Sequence, residues 1–185
     1  MSKPVPSLLV MMHELLSERS VSSTSPEWDS GNLAVINKLA DWLGSLGFNC
    51  QIMPLPGKAN KANLIATLGT GSGGLVLSGH TDTVPYNESR WDMNPLALTE
   101  RDNKLFGLGA TDMKGFFPIA IEAAKSVLDK TLTEPLIILA TADEESSMDG
   151  ARALVEQGMP KARFAVIGEP TSLMPIRMHK GMMME

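Results

Sequence analysis

The sequence predicts an α/β protein: a mixed, largely parallel sheet with helices on both faces. Three observations carry this. Two continuous apolar runs, Leu136–Thr141 and Phe164–Ile167, have the length and composition of buried strands. Segments 115–128 and 147–157 place apolar residues at helical spacing around them. The resulting order, strand–helix–strand–helix–strand, is that of a sheet covered by helices. With 185 residues, 43% of them hydrophobic, the chain suits one domain with a real core.

The elements follow in order. Over 6–17, Leu8, Leu9, Met12, Leu15 and Leu16 recur at helical spacing. Segment 26–46 carries a second stripe (Leu33, Ile36, Leu39, Ala40, Leu43) that Gly47 ends as a cap, after a polar link over 20–26. A strand over 48–53 is broken by the Pro- and Gly-containing segment 54–61. Strands at 63–68 and 75–78 flank Gly69-Thr70-Gly71-Ser72-Gly73-Gly74. That segment satisfies G-x-G-x-x-G, but dinucleotide binding needs a helix after the glycines, and a strand follows. A hairpin turn is the better reading. Segment 86–105 reads as a polar loop around Pro95. Helix 115–128, strand Leu136–Thr141, helix 147–157 ended by Gly158 and a buried strand Phe164–Ile167 complete the chain.

Composition excludes several functions. With 16 basic and 21 acidic side chains the net charge is −5, and 5 Phe, 3 Trp and 1 Tyr offer few stacking platforms, so nucleic acid is not an expected partner. The apolar stretch 7–12 is too short for a membrane span and lacks a cleavage site, so neither export nor membrane insertion is expected. The single cysteine, Cys50, excludes an internal disulfide and a Cys-based zinc module. The expected compartment is the reducing cytoplasm. The 13 methionines read as core packing.

Four polar clusters fall at strand ends or adjoining loops, where ligand sites of open α/β sheets collect. They are 78–85, around His80 and Asp82, 107–115, around Asp112, 141–147, around Asp143-Glu144-Glu145, and Gly168-Glu169-Pro170-Thr171. Singly, each has a structural use: Asp112 as a helix cap, the acidic triplet as a solvated turn, His80 as a hydrogen-bonded histidine. Together they bring carboxylates to one sheet edge, where they repel unless a cation sits among them. One histidine among hard oxygen donors points to zinc, cobalt or manganese rather than calcium. His80-x-Asp82 adds a carboxylate placed to orient the imidazole, and the pair Glu144-Glu145 can divide metal binding from proton transfer. Magnesium-dependent phosphoryl transfer is disfavoured by His80 and by the absence of G-x-x-x-x-G-K-[ST].

The ordered set His80-x-Asp82, Gly109-Ala110-x-Asp112-Met113-Lys114-Gly115, Asp143-Glu144-Glu145 and Gly168-Glu169-Pro170-Thr171 resembles the M20 family of metal-dependent peptidases and deacylases. The likeness runs from about Leu8 to Lys180. Ser78 to Pro85, the loop Arg90-Trp91…Pro95 and Gly168 to Leu173 most resemble the branch that deacetylates N2-acetyl-L-ornithine in arginine synthesis. Other N-acyl amino acid deacylases share all four motifs, and a non-catalytic metal-binding module is the alternative of a different class.

The resemblance implies an incomplete zinc-exopeptidase-like catalytic domain over 1–178, with 179–185 beginning an inserted dimerisation domain. It makes Asp112 a bridge between two Zn2+ ions, for which Co2+ can substitute. His80 and Glu169 would hold one ion and Glu145 the other, with Asp82 orienting His80 and Glu144 as general base. It also implies a cis peptide after Asp112, a small N-acyl amino acid substrate and a homodimer, and it alone admits glutathione. The chain then lacks a histidine ligand and a histidine for the oxyanion, since His13 and His179 match no motif. The 185-residue chain is accordingly expected to bind metal weakly and turn over little, with an exposed sheet edge.

Overall fold

The structure, a computed structural model, describes residues 4–178. Helices α1 (Leu8–Ser17) and α2 (Leu33–Ser45) precede strands β1 (Asn49–Pro54), β2 (Ala62–Leu68) and β3 (Leu75–His80). A 3-10 turn (Glu88–Arg90) and short strands β4 (Thr99–Arg101) and β5 (Lys104–Phe106) lead to α3 (Phe116–Lys125). Then come β6 (Leu136–Thr141), α4 (Asp149–Gln157) and β7 (Phe164–Ile167).

Five strands form one sheet in the order β1-β2-β6-β3-β7. β3 pairs in parallel with both β6 and β7, whereas β2 runs antiparallel to β6 and β1 antiparallel to β2. All but β2 therefore point the same way. The period-2 alternation of strands sorts the core into two halves. Leu64, Ala66, Ile138 and Ala140 face α1, α2 and α3 through Met11, Leu15, Ile36, Leu39, Phe117 and Ile121. Ile65, Val76, Ile137 and Leu139 face the other way, against Leu154 of α4. The expected mixed sheet with helices on both faces is present.

Burial outweighs local signals in α2. Asn32 precedes it but makes no side-chain cap. Its amide instead donates to the Ala62 carbonyl at 2.8 Å and to Thr81 Oγ1 at 2.7 Å, and accepts from Ala62 N at 2.9 Å. A missing cap costs roughly 1 kcal/mol. Burying Val35, Ile36, Leu39, Trp42 and Leu43 contributes about 1.5–3 kcal/mol for each large side chain, so the helix forms and Asn32 ties its start to the sheet.

Five expectations are corrected. The glycine segment 69–74 is not a hairpin, because β6 lies between β2 and β3. β6 is apolar throughout and takes the centre, where both faces are covered; the glycines cross beneath the segment entering it. Gly74 shows why: at φ +85°, any Cβ there would overlap the Pro135 carbonyl. Segment 86–105 is not all loop, since β4 and β5 pair around Asp102 and Asn103, which adopt φ +54° and +55° as a type I′ turn requires. β7 is not buried: it is the edge strand, with Phe164 63% and Ile167 64% exposed. The second helical stripe begins only at Leu33, and the helix expected over 115–128 ends at Lys125.

Candidate metal centre

Parallel pairing puts the ends of β3, β6 and β7 side by side, with His80 opposite Thr141. The strand end at His80, the loops leaving β3, β6 and β7, and the loop entering α3 carry the predicted site residues. His80 is the last residue of β3 and is buried. Its Nδ1 lies 3.0 Å from the Asp82 carbonyl, so the ring donates there and directs Nε2 into the site. Nε2 is 3.0 Å from Asp112 Oδ1 and 3.9 Å from both Glu144 Oε2 and Glu169 Oε1. Donor atoms of His80, Asp112 and Glu145 all lie within 4.8 Å of one another, a group that can hold a metal ion. The histidine is fixed in the wall while the Asp112 side chain is 50% exposed, so the site is open at its mouth. The Asp112–Met113 peptide is cis.

Asp82 acts on the site differently from the expected contact with the imidazole. Its Oδ1 is 3.8 Å from His80 Nδ1, too far for a hydrogen bond, and has no partner among the described residues. Its Oδ2 accepts from the Glu145 backbone N–H at 3.0 Å. Asp82 thus grips the loop carrying Glu145, while its backbone carbonyl orients His80. Burial pushes the Asp82 carboxyl above its ordinary range despite the Glu145 N–H and His80.

The electrostatics favour a cation. Among the described residues no Lys or Arg pairs with Asp112, Glu144, Glu145 or Glu169. Burial, then the Asp112 charge, pushes Glu145 up to about 7, and burial with Asp112 and Glu144 raises Glu169. Burial alone would lower His80, but the charges of Asp82, Glu144 and Glu169 and the Asp112 bond raise it. A site of unneutralised carboxylates around an imidazole whose far nitrogen is anchored fits a divalent ion in donor type, charge and tautomer.

Asp143 does not join its neighbours. It turns away from the site at φ +60° and is buried. Its Oδ1 accepts from Lys61 Nζ at 2.5 Å and Ser22 Oγ at 2.9 Å, and its Oδ2 from Lys58 Nζ at 2.7 Å. Lys61 also meets Asp29 at 2.7 Å and Lys58 meets Asp149 at 2.6 Å. Burial would raise the Asp143 carboxyl, but Lys58, Lys61 and Ser22 hold it below its ordinary range. This buried lattice behind the site was invisible in the sequence, because Lys58 and Lys61 lie in a segment whose only signal is turn chemistry.

Lys114 is the second hidden element. It is buried, and its Nζ donates to the Glu18 carbonyl at 2.8 Å, tying the loop of Asp112 to the end of α1. Burial pushes its ammonium down from 10.5 to about 8, against the pull of Glu18 and Asp82. Between those values the unfolded chain binds more protons than the folded one, so stability rises with pH through that window. Urea unfolding at pH 8 and pH 10 is expected to show a rise of about 2 kcal/mol relative to Lys114→Met, in which the rise is absent. Equal pH dependence in the two proteins would contradict the assignment.

Residues 76–178 match the model of Peptidase family M20/M25/M40. The acetylornithine deacetylase of Proteus mirabilis is 51% identical over 181 residues, covering 98% of this chain and 47% of that protein. The acetylornithine deacetylase of Vibrio cholerae is 54% identical over 178 residues, covering 96% and 47%. The chain thus spans about half the length of the curated relatives it matches. Among solved structures, an M20 family metallo-carboxypeptidase from Sulfolobus solfataricus superposes with a TM-score of 0.75 at 22% identity, over 88% of this chain and 37% of that one, a likeness of fold. With the family model covering more than half of the sequence and including all four motif loops, this chain belongs to Peptidase family M20/M25/M40.

Proposed function

We propose that the chain is the N-terminal portion, 1–178, of the catalytic domain of a metal-dependent amidohydrolase that deacetylates N2-acetyl-L-ornithine to L-ornithine and acetate in arginine synthesis. The observation that carries the proposal is the convergence of His80, Asp112 and Glu145 within 4.8 Å at one sheet edge, unneutralised by any described cation. The names of the relatives support the choice of substrate. Residues 179–185, which would begin an inserted dimerisation domain, lie outside the described residues. The proposal includes a cytoplasmic homodimer.

His80, Asp112, Glu145 and Glu169 would hold two zinc ions, replaceable by cobalt, with Asp112 between them. Such ions lower the pKa of water toward neutrality and polarise an amide carbonyl. The chain supplies the rest. Glu144 stands 3.9 Å from His80 Nε2, paired with no lysine or arginine among the described residues, and would take the proton of the attacking water and return it to the leaving amine. Asp82 and its carbonyl keep His80 and the Glu145 loop in register.

The test is hydrolysis of N2-acetyl-L-ornithine against N-succinyl-L,L-diaminopimelate by the full-length protein loaded with zinc or cobalt. A kcat/KM at least about tenfold higher for acetylornithine is expected. A preference for the succinylated substrate reassigns the protein to that branch, and no hydrolysis of either leaves a metal-binding module. The 185-residue chain alone is expected to turn over neither.

A further inference from the structure

Two of the proposed ligands, at the ends of β3 and β7, each follow a glycine: Gly79 precedes His80 and Gly168 precedes Glu169. Neither glycine has a positive φ, so backbone conformation calls for neither. Space does. A Cβ on Gly168 would overlap Cγ, Cδ2 and Cε2 of the Phe116 ring, so the ring lies directly against that Cα. A Cβ on Gly79 would stand 3.2 Å from Phe116 Cδ1 and 2.9 Å from Met113 Cε, inside the roughly 3.5–4.0 Å of an ordinary carbon contact. One aromatic ring therefore accounts for both glycines.

Phe116 is the first residue of α3, four positions after Asp112. Its N–H donates to the Met113 carbonyl at 2.9 Å, and the Gly115 N–H donates to the Gly109 carbonyl at 3.0 Å. The loop carrying Asp112 is thus closed on itself right up to the ring. On its other side Phe116 packs on the main core, where it meets the Phe117 ring edge-on with centroids 6.1 Å apart. β7 is the element that needs such a support. It is an edge strand with exposed residues, paired with β3 as far as Ile167, and the Gly168 N–H extends the ladder to the Ser78 carbonyl at 3.0 Å.

We propose that Phe116 is a positioning residue for the metal centre. Its ring, seated between Gly79 and Gly168, sets the spacing of the His80, Asp112 and Glu169 backbones and holds the Glu169 carboxylate beside His80 Nε2, 3.9 Å away. This rests on the reading of Glu169 as a ligand and goes beyond it, by naming what places that ligand at the end of an exposed strand. The ring acts only through Glu169.

Zinc affinity of the 185-residue chain, measured by competition with a chromophoric chelator, tests the proposal. Glu169→Gln and Gly168→Ala are each expected to weaken zinc binding about tenfold or more, as loss of a ligand or of its support does. The Gly168→Ala loss is expected to shrink below about threefold in the Phe116→Ala background, where the added methyl meets no ring. In the Glu169→Gln background it is expected to vanish, because the ligand being placed is gone. A general folding defect would instead weaken binding in both backgrounds. Phe116→Leu repeats the test with β7 untouched, should Gly168→Ala not fold. It is expected to weaken zinc binding when Glu169 is present and to leave it unchanged in Glu169→Gln. Full affinity in Gly168→Ala or Phe116→Leu, full affinity in Glu169→Gln, or losses as large without Glu169 as with it, overturns the positioning role and leaves zinc binding by wild type standing. No zinc binding by wild type overturns the metal centre and the positioning role together.

Discussion

Glu144→Gln in the full-length protein is expected to lower turnover by about 10²–10⁴-fold, the usual worth of a positioned acid–base group, with metal content unchanged. The substitution keeps size and hydrogen-bonding capacity and removes only the ability to carry a proton. Glu144 is well suited to show this cleanly. Its side chain is 38% exposed, pairs with no lysine or arginine among the described residues, and belongs to no buried lattice. Replacing it therefore breaks no structural contact. Parallel measurement of kcat and of bound metal decides the role. Loss of metal in Glu144→Gln would make Glu144 a ligand, and unchanged kcat would move the base elsewhere.

Asp143→Ala is expected to destabilise the chain by about 3–5 kcal/mol, the cost of removing one partner from a buried ion pair. Three donors converge on this carboxylate, and Lys61, itself buried, would keep only Asp29. Backbone conformation adds to the cost, because Asp143 sits at φ +60°, a region that Asp and Asn tolerate better than Ala. Asp143→Asn separates the two effects, since it keeps the favourable conformation and removes the charge. Urea unfolding of wild type, Asp143→Asn and Asp143→Ala is expected to rank them in that order. A loss below about 1 kcal/mol in Asp143→Ala would make the lattice a surface-like set of pairs.

Residues adjacent in sequence thus do opposite work: Glu144 and Glu145 face the site while Asp143 anchors their loop from behind. The sequence offered separate roles for Glu144 and Glu145 but assigned none to Asp143. Whether a carboxylate faces a cation or solvent depends on Lys58 and Lys61, more than 80 positions away, with no local signature. The same limit explains the strands. Leu136–Thr141 and Phe164–Ile167 are both apolar runs, but one became the sheet centre and the other its exposed edge. Periodicity reports which residues prefer burial, not what covers them. The hairpin expected at 69–74 failed for a related reason, since a later strand inserted between its arms. By contrast, the convergence of His80, Asp112, Glu144, Glu145 and Glu169 was legible, because ligand sites of open α/β sheets gather beyond strand ends and short motifs survive errors in pairing.

The central claim is that these residues form a divalent-metal centre. Elemental analysis of the purified chain after dialysis against zinc or cobalt, wild type beside Asp112→Ala, tests it most directly. Asp112 touches His80 and offers its carboxylate at the centre of the cluster, yet it is half exposed, so its loss removes a donor without opening the core. Retention of about one ion per chain by wild type and none by Asp112→Ala is the expected result. Equal retention by both proteins, or by neither, would contradict a metal centre built by this chain.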